Sequence, residues 1–432
     1  VSGAPPLIPQ PGEPRPVLLG FSGGLDSTVL LHLLAASPSL HGGLRALHVH
    51  HGLQAAADAW QAHCEGECAR LGIPLQGVRV QVPRNAGTGP EAAARAARHA
   101  AFHAALREGE VLALAHHADD QAETFLLRAL RASGPDGLAA MQAWRAHGRG
   151  WLWRPLLDAP RDALLAWARG EALDWIEDPS NADDTLDRNY LRARVLPLLR
   201  ERWPHAGAAF ARSAALAAEA VGLLEAEDAR ALDSVRAGAA DELDARALQV
   251  LPRARRARVL RRWIHALGLP PLPASGVASV ESDLLQAAPD SGATYAWADA
   301  CLQRWRDLLH AGRQREPLPR DWRTTWDGRT PLALPGGGVL RLEGAVFEHP
   351  VTVHARQGGE RITLPGRRHS HALKHVLQER AVPPWERAQL PLLSDAEGAV
   401  LAAGDRIVSA ALAAWLEARG ARLAWTRPAG NV

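Results

Sequence analysis

Two short stretches hold residue types that could do chemistry. In "SGGLDST", Ser22 to Thr28, the side-chain-free Gly23 and Gly24 stand between the hydroxyls of Ser22 and Ser27, and an apolar run begins at Leu25. A glycine-rich turn at the head of a helix gathers backbone amides on one point and leaves an anion room to approach them. A loop of the G-x-x-x-x-G-K-[ST] kind would add a lysine for the terminal phosphates, and this one has none. Asp26 is the unexpected member, because a carboxylate beside a phosphate repels it unless a cation lies between them. A bridging Mg²⁺ removes that conflict. A bare pair of glycines serves any tight strand-to-helix turn, whereas the full S-G-G-x-D-S points to a phosphate ligand.

The second stretch is "HHADDQAET", His116 to Thr124. Asp120 and Glu123 are three apart at the start of a helical pattern, so both carboxylates can share one face. Such a pair can hold a cation and then accept its proton as a general base. It can also simply favour a helix N-terminus, and Asp119 is the better capping residue. Arg95 and Arg98 lie one turn apart on an alanine-rich helix. By spacing alone they are two surface arginines on that helix. His48, His51, His116 and His117 raise a metal site as an alternative, but they fall at strand ends where a nucleotide would lie. Cys64, Cys68 and Cys301 form neither a C-x-x-C pair nor a zinc quartet and are expected to pack.

The elements that must position these residues alternate. Apolar runs at 17–21, 44–50, 75–82 and 111–116 predict strands, and 25–36, 55–71, 91–107 and 120–131 predict helices. That order implies a parallel sheet with helices on both faces and ligands beyond the carboxyl ends of the strands. The predicted class is α/β: an N-terminal Rossmann-like parallel sheet, a helical central domain and a small α+β C-terminal domain. The expected boundaries are a loosely ordered leader at 1–16, the nucleotide-binding domain at 17–205, the helical domain at 206–330 and the last domain at 331–432.

The 432 residues suit two to four domains, and 47% hydrophobic with 22% charged residues excludes a disordered chain. No uninterrupted run of ~18 apolar residues occurs, so a soluble, cytoplasmic protein without a membrane segment is expected. Basic and acidic residues nearly balance at 49 against 47, so net charge does not announce a nucleic-acid partner. The basic charge is almost all arginine, whose fork suits bidentate phosphate contacts. A helical stretch at 244–267 carries "RARRARVLRRW". There Leu251, Val259, Leu260, Trp263, Ile264 and Leu267 share a face, leaving Arg253, Arg255, Arg256, Arg258, Arg261 and Arg262 largely outward, as a solvated or a phosphate-facing surface. A second basic stretch, "RRHSHALKH", spans Arg367 to His375.

The S-G-G-x-D-S loop resembles that of the PP-loop ATP pyrophosphatases. The resemblance implies that the loop holds the pyrophosphate part of ATP and that the bond broken lies between the α and β phosphates. Beyond the loop, "HVHHGL", "EAAARAARHAAF", "LAHHADDQAETFLLRALRASGPDGLAAM", "EDPSNADDTLDRNYLRARVLP" and "GGERITLPGRRHSHALKHVLQERAVPPWERAQLPLL" are similar to the long form of the tRNA(Ile)-lysidine synthetase family. That likeness runs from about Val17 to near the C-terminus. It implies adenylation of the 2-oxo group of the wobble cytidine in a CAU-anticodon tRNA(Ile), then displacement of AMP by the ε-amine of free L-lysine, shifting decoding from AUG to AUA. Ser22, Gly23, Gly24, Leu25, Asp26, Ser27 and His48 would bind ATP, with Asp26 on Mg²⁺. Asp26, Arg95, Asp120 and Glu123 would be catalytic, Asp120 and Glu123 binding a lysine ammonium that must lose its proton, at a reference pKa of about 10.4, before it attacks.

For tRNA the candidates are Arg188, Arg192, Arg255, Arg258, Arg262, Arg367 and Arg368. Asp178, Asn181, Arg188, Asn189 and Arg192 could instead knit loop to helix. The family usually has a tyrosine where His99 stands, which reads as a packing change. Two alternatives compete. A PP-loop tRNA thiolase would need reactive cysteines, and the C-x-x-x-C of Cys64 and Cys68 is mid-helix. A non-catalytic nucleotide- or tRNA-binding module would have no use for the acidic pair.

Overall fold

The computed structural model describes residues 3–37, 43–52, 56–81, 90–288 and 291–426. They form two compact units, Val1–Leu224 and Glu225–Val432. The division falls inside a helix, between Leu224 and Glu225.

In the first unit the chain runs β1 (Val17–Gly20), α1 (Leu25–Ala35), β2 (Leu44–His50), α2 (Ala57–Arg70), β3 (Leu75–Arg79), α3 (Pro90–Ala105), β4 (Val111–Ala113) and α4 (Ala118–Leu130). It continues through α5 (Pro135–Leu138), β5 (Trp144–His147), β6 (Gly150–Trp153) and α6 (Arg161–Gly170). The expected ends Ala55 and Val82 lie outside the described residues. The sheet order is β3-β2-β1-β4-β6-β5, parallel except for β5, which pairs antiparallel with β6 at one edge. Strands covered on both faces read as continuous apolar runs, and alternate residues of β1 serve two cores. Val17 and Leu19 pack with Val29, Leu30 and Leu164, while Leu18 packs with Leu47, Phe102, Leu106, Leu112 and Leu152. The order reverses between β1 and β4, which opens a crevice beyond their carboxyl ends.

The leader is not loose. It has no regular structure, but Ile8 N–H donates to the Pro155 carbonyl at 2.8 Å and the Trp153 indole N–H donates to the Ile8 carbonyl at 2.9 Å. Cys64 and Cys68, one turn apart on α2, are free and buried. Burial pushes both thiols up to about 12, so they are packing residues rather than nucleophiles. The segment after α6 forms α7 (Asp187–Tyr190), a π-helical turn (Leu191–Val195) and α8 (Leu196–Arg202). Pro197 has no N–H for the i−4 carbonyl, so the ladder widens there.

Next comes α9 (Ala206–Ser234), long and apolar enough by length and composition to cross a membrane. Alanine supplies much of that apolarity, and Arg212 and Glu219 pair along it at 3.4 Å.

The second unit adds what the sequence pattern had not indicated, a four-stranded antiparallel sheet formed by Glu242–Asp244, Leu308–Arg313, Ala300–Trp305 and Thr294–Trp297 in that spatial order. The stretch 244–267 is two helices, Ala245–Val250 and Arg253–Ala266, interrupted where Pro252 restricts the backbone. Val259, Leu260, Trp263 and Ile264 are fully buried as expected. Arg253 and Arg261 are exposed as expected, but the other four turn to carboxylates. Arg258, part-buried, pairs with the buried Asp228 at 2.6 Å, Arg256 grips Glu281 with both branches of its fork, and Arg255 and Arg262 pair with Glu227 and Glu225. The C-terminal part holds a five-stranded and a three-stranded sheet with the helices Leu373–Glu379 and Ala410–Arg419. Arg367 pairs with Glu379 at 2.7 Å, and both are exposed.

Candidate active site

The loop after β1 is shaped by its own hydroxyls. Ser22 and Ser27 share a 3.0 Å hydrogen bond, the Ser27 hydroxyl reaches the Gly24 carbonyl at 3.0 Å, and the Thr28 hydroxyl donates to the Gly23 carbonyl at 3.2 Å. Gly23 has φ +80°, and a Cβ there would come within 2.6 Å of Ile176 Cδ1 and 2.9 Å of Cys64 Sγ. Only glycine fits. Gly24 is the N-cap of α1 and offers no side chain, so the first amides of α1 are left for an anion. Asp26 follows, its Oδ1 buried and without a hydrogen-bond partner. A buried carboxylate oxygen left in this way suits a hard cation. With one carboxylate here, Mg²⁺ would draw its other ligands from phosphate oxygens and water, as it commonly does. His48, at the end of β2, is buried and its Nδ1 lies 3.0 Å from the Phe21 carbonyl, tying the strand to the loop.

Across the crevice, His117 caps α4 and Asp119 does not. Asp120 N–H approaches His117 Nδ1 at 3.4 Å while His117 N–H donates to Asp120 Oδ2 at 3.1 Å, a reciprocal capping box. Asp119 instead accepts from the backbone of Arg161, capping α6, and pairs with Arg200. His117 Nε2 stands 3.6 Å from Asp26 Oδ2 and 3.5 Å from Asp120 Oδ2, between the two loops. Burial opposes protonation of this ring, but Asp26, Asp120 and Asp119 outweigh it and raise its pKa.

Asp120 and Glu123 do meet on one face, and both are occupied. Arg188 Nε donates to Glu123 Oε2 at 2.6 Å and its Nη2 to Asp120 Oδ1 at 3.0 Å; Arg192 Nε donates to Glu123 Oε1 at 2.7 Å and its Nη2 to Asp120 Oδ1 at 3.2 Å. The Glu123 side chain is fully buried. Burial would raise the Asp120 pKa, yet His117, Arg188 and His116 bring it down to about 2. Arg188 and Arg192, read from sequence either as knitting loop to helix or as tRNA contacts, here join their segment to α4, and their guanidinium groups neutralise the acidic pair.

The remaining parts of the motif are structural. Gln121 exchanges two hydrogen bonds with the Met141 backbone, and Arg128 donates to the carbonyls of Gly137 and Ala140, pinning α5 and the residues after it to α4. The His99 ring meets Phe102 edge-on.

A glycine-rich loop with free helix amides and a carboxylate pair that holds two guanidinium groups thus follow neighbouring strands β1 and β4. Residues 7–199 match the model of the PP-loop domain, 243–310 the TilS substrate binding domain and 351–425 the TilS substrate C-terminal domain. The tRNA(Ile)-lysidine synthase of Xanthomonas axonopodis pv. citri is 57% identical over 97% of this chain and 96% of its own length. The chain belongs to the tRNA(Ile)-lysidine synthase family. The tRNA(Ile)-lysidine synthases of Xylella fastidiosa strain 9a5c and Pseudomonas putida are 53% and 44% identical, over 97% and 88% of this chain and 97% and 90% of theirs. The activity is that of an ATP-dependent ligase forming lysidine on the wobble cytidine of tRNA(Ile).

Within this lysidine synthase family member, Ser22 to Gly24 form the loop after β1, Leu25 to Ser27 open α1, His48 lies near the end of β2, and Asp120 and Glu123 lie in the first turns of α4, which follows β4. Arg95, on α3, exerts its charge on His99, His116 and Arg154. Arg255, Arg258, Arg262, Arg367 and Arg368 belong to the second unit. Three site residues went unassigned from sequence. His117 links the two loops, Arg161 brings its Nε to 3.8 Å from Asp26 Oδ1, and Arg154 lies buried at the end of β6. For Arg154 a signal existed, since it directly follows a strand, where ligand loops of such sheets lie.

Proposed function

We propose that adenylation and amine transfer are carried out by the two loops that face each other across the β1–β4 crevice. The amides of Gly23 to Ser27 take the pyrophosphate of ATP, Asp26 holds Mg²⁺, and His48 borders the nucleoside. Bound there, Mg²⁺ would neutralise phosphate charge as pyrophosphate leaves. Arg95 stabilises the charge that develops on the α phosphate when the cytidine 2-oxo group attacks. Asp120 and Glu123 then take the lysine ε-ammonium, accept its proton and let the amine displace AMP.

The observation that carries this reading is the occupancy of the acidic pair. Two guanidinium groups stand where the ammonium would be held, so the site already stabilises cations of that charge. Lysine enters only when Arg188 and Arg192 move off, and phosphate is the partner that would draw them, which joins their expected tRNA role to the admission of the amine. Arg255, Arg262, Arg367 and Arg368 contact tRNA(Ile) away from the anticodon, while Arg258, paired with the buried Asp228, serves the fold. With tRNA and free lysine as substrates, the reaction belongs in the cytoplasm.

The test incubates the protein with ATP, Mg²⁺, labelled lysine and CAU-anticodon tRNA(Ile) transcript. Label should enter the tRNA, and failure to do so would refute the reading. In Asp120→Asn, tRNA-dependent pyrophosphate release should persist while lysine transfer is lost; equal loss of both would show the carboxylate to be misassigned.

A further inference from the structure

Arg154 directly follows β6, and only 7% of its surface is exposed. A cation this deep normally faces a carboxylate, because removing a charge from water is costly unless it is paired. Among the described residues no carboxylate forms an ion pair with Arg154. Its Nε donates to Nδ1 of His116 at 3.2 Å and its Nη1 to the carbonyl of Gln142 at 2.6 Å. Both partners are neutral. His116 is held uncharged chiefly by burial, which Arg154, Arg188 and Arg95 reinforce against Asp120, and its pKa falls to about 3.

The surroundings deepen the imbalance. Burial, and after it the positive charges of Arg145, Arg95 and Arg128, pull the Arg154 pKa down to about 10. Arg128 itself donates to the carbonyls of Gly137 and Ala140. His99 and His147 are held down by burial and by neighbouring cations as well, His99 to about 4. Residues of α3, α4 and β5 thus add positive charge around Arg154, and an anion is the group that would balance it.

Its position favours one kind of anion. β6 pairs with β4, and β4 with β1. Neighbouring strands are about 4.8 Å apart, so Arg154 stands roughly 10 Å across the sheet from the strand bearing the pyrophosphate loop. His116, to which it donates, lies on the same turn as Asp120, on the acceptor side of the crevice. We propose that Arg154, backed by His116 and with Arg95 and Arg145 adding positive potential, is a phosphate subsite for the RNA strand, taking a phosphodiester beside the reacting nucleotide. The proposal rests on the reading of the crevice as one that receives RNA. The subsite fixes the strand's register, since a phosphate contact positions a substrate and leaves base recognition to other groups.

The test uses the full chain and an anticodon stem-loop in which each loop phosphate is replaced singly by an uncharged methylphosphonate. For the unsubstituted protein one replacement should weaken binding about tenfold. Arg154→Gln should weaken the natural stem-loop by a similar factor, lose the penalty at that one position, and lower the salt slope by about 0.7, one single-strand phosphate contact. Its ATP affinity should stay within about twofold of the original. Arg154→Lys keeps the charge but loses the fork to His116 and Gln142. It should retain both the salt slope and the positional penalty, which a purely structural clamp would not, and it carries the test if the Gln variant does not fold. If no single phosphate matters more than twofold to the original protein, or if Arg154→Gln loses ATP binding with RNA binding unchanged, the proposal is overturned. A protein that binds no stem-loop at all would overturn the RNA reading as well.

Discussion

Glu123→Gln isolates the acidic pair with the smallest change of shape. The Glu123 carboxylate is fully buried and accepts from Arg188 Nε at 2.6 Å and from Arg192 Nε and Nη2 at 2.7 and 3.1 Å. A glutamine keeps one acceptor oxygen, but it turns an NH₂ toward a guanidinium donor and leaves two cations with Asp120 alone. Breaking a buried pair from one side costs about 3–5 kcal/mol. The Arg188 and Arg192 side chains are 23% and 36% exposed and partly rehydrate, so roughly 2–3 kcal/mol remains. For a unit of about 200 residues each kcal/mol moves Tm by about 2–4 °C, and a fall of about 4–12 °C in the transition of the first unit is expected by calorimetry. Arg192→Gln added to Glu123→Gln should recover part of that loss, because it removes a stranded cation. A Glu123→Gln Tm within about 1 °C of the original, or a double variant whose loss is the plain sum of the single ones, would refute the picture of an occupied, energetically coupled pair.

Acid should expose Asp120 in the same way. Its folded pKa of about 2 lies below the reference 3.8, so its stabilisation is fully present above about pH 4 and is lost as pH falls through 2. The stability gap between the original and Asp120→Asn, roughly 2 kcal/mol at pH 6, should shrink across that window in denaturant titrations, and a constant gap would count against it. Gly23→Ala should cost ATP binding and lower Tm by several degrees because of φ +80° and the 2.6 Å approach to Ile176. Gly24→Ala, whose Cβ would meet nothing nearer than 3.6 Å, should keep its Tm. Asp26→Asn should remove the Mg²⁺ dependence of ATP affinity in calorimetric titrations while the fold persists. A variant still needing Mg²⁺ for full affinity would move the metal elsewhere. Arg258→Gln should destabilise the second unit without changing the salt slope of tRNA binding, whereas Arg368→Glu should lower that slope by about one contact.

Much of the chemistry was legible in the chain because it is local. Ser22 to Ser27 shape their own turn through contacts within five residues, so the spacing S-G-G-x-D-S is nearly the structure, and the apolar runs of β1, β2 and β4 needed no partner to be recognised as strands. The three-residue spacing of Asp120 and Glu123 likewise put both on one helix face. What the sequence left open involves partners far along the chain. Arg188 and Arg192 read equally as tRNA contacts or as ties between loop and helix until the fold brings them 65 or more residues back onto Glu123. Arg255, Arg258 and Arg262 read as a basic face until α9 meets them with Glu227, Asp228 and Glu225. His117 read as one of four histidines at strand ends until the fold placed its ring at the cap of α4, beside Asp26 and Asp120. A charge declares its sign in sequence, but its counter-charge is a tertiary fact, and whether an arginine serves the fold or a phosphate depends on which anion packing brings to it.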